Sequence, residues 1–313
     1  MGETGAVTRV GLVLGGGGYT GTAFHAGVLG ALADVVDFDG RDAEVIVGTS
    51  AGSTAAALLR AGFPPQEYVA RMCGEALSEQ ASRVLEGIGP LAALPSQDLD
   101  FRAGMAAPEL ALQILKRPWR YRVGTFAAAV LPEGRVSTEA TGVSMGDLFV
   151  DWPPEKTWLP AVSLSSGRRE VFGRDSFPVL GDAVAASCAV PGLFPPVVID
   201  DDRYVDGGCH SVHSLDLLAD EALDLVIVSA PMAISGPPGS LSQRARTPIR
   251  RQLWREARGV QATTTPVIAI APDAALAAVM GLNSMDVTLR PEVARRAYRY
   301  VSHGLLGLRH LFD

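Results

Sequence analysis

The sequence of 313 residues is hydrophobic at 48% of its positions and charged at 19%, which is typical of a chain that folds around a large apolar core. Its net charge of −7 argues against nucleic acid as a partner, because phosphate binding depends on a basic surface. Three widely spaced cysteines indicate neither a disulfide framework nor a thiolate metal site, so we expect a cytoplasmic protein. The sequence offers neither a signal peptide nor an apolar run of about 20 residues, so membrane contact should be peripheral.

The chain opens with a strand, a glycine-rich loop and a helix. A buried strand is predicted at residues 8–14 and a helix at 22–35, where apolar residues recur at helical spacing. Turn-forming residues at 37–40 return the chain to a second strand, 45–47. This order predicts an α/β fold built on a parallel sheet with right-handed crossovers. Further helices are predicted at 64–77, 108–115 and 181–186, and further strands at 157–163, 197–199, 203–205, 225–228 and 267–270.

A serine follows the second strand in a sequence that predicts a sharp turn. The strand runs directly into Gly48-Thr49-Ser50-Ala51-Gly52, and a helix-forming segment follows at 53–59. Gly-x-Ser-x-Gly between a strand and a helix is typical of a strained turn that exposes the serine hydroxyl at the edge of a sheet. Gly48 and Gly52 are needed because side chains there would collide with neighbouring elements. We therefore predict that Ser50 is a nucleophile; the alternative is a Gly/Ser-rich loop that only turns the chain.

The glycine-rich loop after the first strand has two interpretations. Gly16-x-Gly18-x-x-Gly21 satisfies the fingerprint of a dinucleotide-binding loop. Alternatively, the bare amides of the loop form an oxyanion hole, since glycines let N–H groups approach a substrate oxygen. The serine on the next strand favours the oxyanion hole, because both loops lie at the same edge of a parallel sheet.

The aspartate at position 206 follows a predicted strand. The predicted strand 203–205 ends at Asp206, and Gly207 and Gly208 allow this carboxylate to enter a crowded site. A serine nucleophile more usually has a histidine held by a carboxylate, and the order Ser50, Asp206, His303 permits such a triad. No local motif marks that histidine. Three residues that can bind a metal lie close together in the sequence: Cys209, His210 and His213. A metal site is not expected, because the sequence has no second group of such residues to complete the ligand set.

Two further patterns bear on lipid contact. Residues 244–258 are basic in an acidic chain and, if helical, place apolar residues beside arginines, as in a helix that lies on an anionic membrane. The alternative is a surface helix packed on the sheet. Aromatic residues between the two halves of the chain either line an apolar cleft or fill the core: Trp119, Tyr121, Phe149, Trp152 and Trp158.

Taken together, the motifs resemble the patatin-like phospholipase family. The resemblance spans 10–272 and rests on the glycine loop, GTSAG at 48–52, SCAVPGLFPP at 187–196 and DGG at 206–208, in that order. It implies a three-layer α/β fold with a mainly parallel central sheet flanked by helices. It also implies that lipid acyl esters are hydrolysed through an acyl-enzyme without a metal or cofactor. The residues implied are a Ser50–Asp206 dyad without histidine and an oxyanion hole from the amides around Gly16, Gly17 and Gly18.

One position departs from the family pattern. Thr20 stands where family members usually carry arginine or lysine. This favours a neutral acyl ester over an anionic phospholipid, and it keeps a catalytically weak lipid-binding protein with the same fold as the alternative. We expect a flexible amino terminus at 1–7, a hydrolase domain at 8–275 and a helical extension at 276–313 packed on that domain.

Overall fold

The computed structural model describes residues 9–86, 104–136, 148–149 and 151–312. The predicted flexible segment 1–7 lies outside the described residues. Within them, eight strands form one sheet: β1 (Val10–Leu14), β2 (Val45–Gly48), β3 (Lys156–Ser163), β4 (Arg169–Phe172), β5 (Val197–Ile199), β6 (Asp202–Asp206), β7 (Leu225–Ser229) and β8 (Val267–Ile270).

The sheet is parallel through its centre and antiparallel at one side. Its order is β5-β6-β3-β2-β1-β7-β8, with β4 also paired to β3. Strands β1, β2, β3, β7 and β8 run parallel, whereas β4 and β6 pair antiparallel with β3, and β5 with β6. Every residue of β1, β2 and β7 is buried, as expected of parallel strands that are covered on both faces.

Helices cover both faces of the sheet. They are α1 (Gly18–Val36), α2 (Ala51–Arg60), α3 (Tyr68–Cys73), α4 (Glu79–Leu85), α5 (Pro108–Lys116), α6 (Val123–Val130), α7 (Leu180–Ser187), α8 (Leu241–Arg244), α9 (Thr247–Gln261), α10 (Ala274–Met280) and α11 (Arg290–Leu305). The predicted helix 64–77 is wrong in length, because Gly74 adopts a left-handed φ of 67° and ends α3.

One hydrophobic core cluster lies between the sheet and the helices on each of its two faces. Leu12 and Leu14 of β1 pack with α1, α2, α7 and α11 on one face. Val13 points to the other face and packs in the same cluster as Leu253 and Val260 of α9. The alternation follows from the two-residue period of a strand. It confirms the predicted three-layer α/β fold with a mainly parallel sheet.

The carboxyl-terminal helix α11 lies against α1. A Cβ atom on Gly27 of α1 would come within 2.5 Å of the Tyr298 amide nitrogen, so the two backbones approach closely. The Tyr298 hydroxyl donates a 2.8 Å hydrogen bond to Asp34 Oδ2. The sequence from 290 onward therefore packs on the helix that begins in the glycine loop.

Helices α5 and α6, with the segment joining them, form what we call the cap hairpin, residues 105–131. The inner side of the hairpin belongs to a third core cluster. In this cluster Leu110 and Ile114 pack with Val162 of β3 and Val205 of β6. The Ala107 amide also donates to the Ala129 carbonyl. The hairpin is thus anchored on the antiparallel side of the sheet.

Candidate active site

Ser50 lies on a strained turn between β2 and α2. Its φ of 53° and ψ of −120° are unusual for a residue with a side chain. A Cβ on Gly52 would lie 1.9 Å from the Leu14 carbonyl oxygen, and one on Gly48 would lie 2.5 Å from the Gly52 carbonyl oxygen. The Ser50 amide donates a 3.0 Å hydrogen bond to the Ser187 hydroxyl. The turn therefore depends on two glycines for space and on a serine of α7 for support.

The glycine loop passes directly beside Ser50. A Cβ on Gly16 would be 3.4 Å from Ser50 Cβ. The Gly16 amide donates to the Val212 carbonyl at 2.8 Å, so it is already occupied. Gly17 precedes α1 and Gly18 begins it, and within the described residues neither amide donates to another group. These two N–H groups lie at the positive end of the helix dipole, which favours a developing negative charge.

Asp206 reaches the same site through strand register. Val47 of β2 pairs with Trp158 of β3, and Ala161 of β3 pairs with Asp206 of β6. Ser50 lies three residues beyond Val47, and Ala161 lies three residues beyond Trp158. The register therefore puts Ser50 and Asp206 at the same level of the sheet, even though β6 runs antiparallel.

The Asp206 carboxylate is buried and hydrogen-bonded. Burial raises its pKa from 3.8 to about 6, and the nearby Ser50 hydroxyl and the Gly208 amide oppose that rise. The Gly208 amide donates to Oδ1 at 2.7 Å. A Cβ on Gly207 would lie 2.3 Å from the Pro160 carbonyl oxygen, so this turn also needs a glycine. Asp206 is largely ionised at neutral pH and is a stronger base than an exposed aspartate.

A buried histidine supports the glycine loop from below. His25 Nε2 lies 2.7 Å from the Gly15 carbonyl oxygen, which only accepts, so Nε2 carries the proton. Nδ1 then accepts from the Ser229 hydroxyl at 2.7 Å. Burial lowers the pKa of His25 to about 4, so the ring is neutral at physiological pH. His25 thereby fixes the orientation of the peptide that leads into the oxyanion loop.

An apolar cleft of about 360 Å³ opens above Ser50 and Asp206. Its walls come from the glycine loop, the cap hairpin, the segment after α7 and the region around 285. The side chains that make it apolar are Ala127, Leu131, Val190, Pro191, Leu193, Val212, Met232 and Met285. Aliphatic and thioether side chains therefore form the walls, and none of the aromatic residues considered from the sequence lines this cleft.

The other titratable groups near the site have different roles. Burial raises the pKa of Cys188 to about 11 and raises that of Cys209 as well, so both thiols stay protonated. His303 lies on α11 and lines a separate cavity with Tyr300, so the structure does not assemble the triad with His303. In the part of the chain that the structure describes, no group of three His, Cys, Asp or Glu side chains is placed to hold a metal.

The comparison with known proteins identifies the family of the chain. The sequence profile described as Patatin-like phospholipase matches residues 12–219, more than half of the chain. The chain belongs to the patatin-like phospholipase family. The family is one of lipid acyl hydrolases, and the resemblance found from the motifs is confirmed.

Among solved structures, VipD from Legionella pneumophila is similar to this patatin-like chain. The TM-score is 0.47 and the identity is 15%, over 98% of this chain and 69% of the VipD chain. No curated protein has a significant match to the sequence. No helix in the described residues is long and apolar enough to cross a membrane.

Thr20 occupies a buried position in this patatin-like structure. Its side chain is buried in the first turn of α1, and its amide donates to the Ser284 carbonyl at 3.1 Å. The segment around Ser284 and Met285 therefore lies against the glycine loop where the family usually has a cation. Sequence reasoning missed this contact, since nothing in the local pattern of 283–286 marks it as a cleft wall.

Proposed function

We propose that the chain is a serine lipid acyl hydrolase in which Ser50 is the nucleophile and Asp206 the base. The observation that carries the proposal is the buried Asp206 carboxylate, which lines the same apolar cleft as Ser50 and whose pKa the Ser50 hydroxyl influences directly. The elevated pKa of that carboxylate suits proton transfer near neutral pH.

The first half of the reaction forms an acyl-enzyme. Ser50 Oγ attacks the carbonyl carbon of the ester while its proton moves to Asp206. The resulting oxyanion is stabilised by the free amides of Gly17 and Gly18, and the lack of a side chain on Gly16 leaves room for it. As the tetrahedral intermediate collapses, Asp206 returns the proton to the leaving alcohol.

The second half releases the acid. Asp206, again ionised, takes a proton from a water molecule that attacks the acyl carbon. The same two amides stabilise the second tetrahedral intermediate, and the proton passes back to Ser50 Oγ as the carboxylic acid departs. Every proton transfer is carried by the dyad, so the chain's own residues complete the cycle.

The cleft indicates which part of the substrate it binds. Among its described lining residues there is no arginine or lysine, so the cleft itself offers no partner for an anionic group. Its aliphatic walls suit an acyl chain. With Thr20 in place of the usual cation, we propose a neutral acyl ester as the preferred group at the reacting bond.

The alternative is a lipid-binding protein that retains the fold but turns over slowly. The departure at Thr20 is the observation that favours it. Labelling with a fluorophosphonate, which reacts only with an activated serine, distinguishes the two.

We expect the wild-type chain to be labelled at Ser50, as located by peptide mass mapping. Ser50→Ala should abolish labelling, and Asp206→Asn should slow it by about 10³-fold, because the general base is lost. Asp202→Asn is the matched control on the same strand, since Asp202 bonds to Ser163 and Ser165 and not to Ser50. A well-folded wild type that is not labelled would favour the lipid-binding alternative.

A further inference from the structure

The outer side of the cap hairpin exposes large apolar side chains. Leu112 and Leu115 of α5 are 59% and 65% exposed, Trp119 is 78% exposed and Val123 is 86% exposed. Leu112 and Leu115 lie three residues apart and so share one side of the helix. The inner side of α5 is also apolar, but Leu110 and Ile114 are buried in the core. A helix that is apolar on its solvent side as well has a surface without a partner among the described residues.

Cationic side chains surround this apolar surface. Lys116, Arg117, Arg120 and Arg122 are exposed, and Glu109 is the one acidic residue of the hairpin. In the described part of the chain, none of these four cations forms an ion pair. The whole chain has a net charge of −7, so this concentration of positive charge is local.

The same hairpin forms one wall of the cleft above Ser50. Gly124 and Ala127 of α6 line that cleft, and so does Leu131 at the end of the hairpin. Val123, the most exposed of the four apolar residues, directly precedes Gly124. A binding partner on the outer side of the cap hairpin would therefore lie next to the cleft.

We propose that the outer side of the cap hairpin docks on the surface of an anionic lipid bilayer. Exposed tryptophan and leucine side chains would insert at the boundary of the acyl chains, and the four cations would contact anionic headgroups. The inference rests on the proposed function, because it explains how an acyl chain passes from a bilayer into the cleft. The cleft binds the neutral acyl part, and the hairpin supplies the affinity for negative charge.

The basic segment 244–258 is the competing surface. In the structure, α9 buries its apolar side, with Leu253, Ala257 and Val260 packed on the sheet. Arg246 is buried and donates to the Pro231 carbonyl. The surface-helix interpretation therefore describes α9, which leaves one large apolar side chain, Trp254, exposed at 48%.

Vesicle flotation of the full chain tests the proposal. The vesicles contain either phosphatidylcholine alone or phosphatidylcholine with phosphatidylglycerol as the anionic lipid. We expect the wild type to bind the anionic vesicles, and Leu115→Ser/Trp119→Ser and Arg117→Glu/Arg120→Glu each to weaken that binding by about tenfold or more. The matched controls on α9, Trp254→Ser and Arg251→Glu/Arg255→Glu, should bind within about twofold of the wild type.

Hydrolysis of a water-soluble short-chain ester and fluorophosphonate labelling are measured on the same variants. Both should be unchanged in the hairpin variants, because none of the four altered residues lines the cleft. Wild-type vesicle binding without labelling would refute the proposed hydrolase but leave the docking surface supported. Equal binding by the hairpin variants and the wild type would overturn the docking proposal. So would a wild type that binds no vesicles, the result expected if the hairpin contacts a protein instead.

Discussion

The candidate active site has a nucleophile half, which is Ser50 with its turn, and a base half, which is Asp206 with its strand, and the two are positioned in different ways. Ser50 is held by the backbone of two adjacent parallel strands, and Gly48 and Gly52 fit where any side chain would collide with a neighbouring backbone atom. Asp206 is brought in by an antiparallel strand across β3, and its basicity depends on burial. The difference teaches that the nucleophile is fixed by local chain geometry, whereas the base is defined by tertiary surroundings.

The largest effect is expected where the backbone has least room. Gly52→Ala should destabilise the protein by about 3 kcal/mol or more, because its Cβ would lie 1.9 Å from the Leu14 carbonyl oxygen and no rotamer relieves a backbone contact. Denaturant unfolding measures the change in free energy. Gly259→Ala is the control, since a Cβ there meets nothing within 4 Å, and it should stabilise α9 by about 0.5–1 kcal/mol. Similar stability of the two variants would show that the Ser50 turn is not constrained as described.

The base half should respond to pH. With the pKa of Asp206 near 6, kcat/KM for an uncharged ester should rise about tenfold per pH unit up to that value and then level off. A profile that levels off near pH 4 would contradict the role of burial in setting this basicity.

Stability should change in the opposite direction over the same range. Because folding raises the pKa of Asp206, the native state holds a proton that the unfolded chain has released between about pH 4 and pH 6. The stabilisation from Asp206 is therefore complete below its ordinary pKa and is lost as the pH rises through 6, by about 3 kcal/mol. Asp206→Asn should lack this dependence. Unfolding free energies of both proteins at several pH values make the comparison.

The smallest effect is expected at His25, which acts through the glycine loop. His25→Leu should lower kcat about tenfold with little change in KM, because the loop amides act on the oxyanion and not on the ground-state substrate. His25→Gln should recover much of the loss, since its amide nitrogen can replace Nε2 as the donor to the Gly15 carbonyl. A loss in KM alone, or no recovery with glutamine, would mean that His25 serves packing only.

The sequence allowed more of the nucleophile half to be predicted than of the base half. The strand, turn and helix around Ser50 are contiguous, so their pattern could be interpreted directly. The helix after the glycine loop begins at Gly18 and not near residue 22, although glycine has a poor helix propensity. In this turn the Thr20 amide donates to the Ser284 carbonyl, a contact with a distant segment that the local pattern does not record. The antiparallel direction of β6 and the pKa of Asp206 depend on contacts between distant segments, which no local pattern records.

The residues that form the cleft walls could not be predicted from the sequence either, because they come from distant segments. Met232 and Met285 come from segments far from each other and from Ser50, and each stands in an unremarkable local sequence. Among the aromatic residues considered, Trp158 is buried in the core and Trp119 is exposed on the cap hairpin. Residue type alone predicted neither environment.

The hydrogen bond from the Gly16 amide to the Val212 carbonyl links the base to the glycine loop. Asp206 and Val212 belong to one short segment, so a displacement of the whole segment moves both the carboxylate and the acceptor that holds Gly16. A local opening of the segment 206–212 should therefore release the glycine loop and move the base together. Solvent exchange at the Gly16 amide would then report the fraction of molecules that are competent for catalysis.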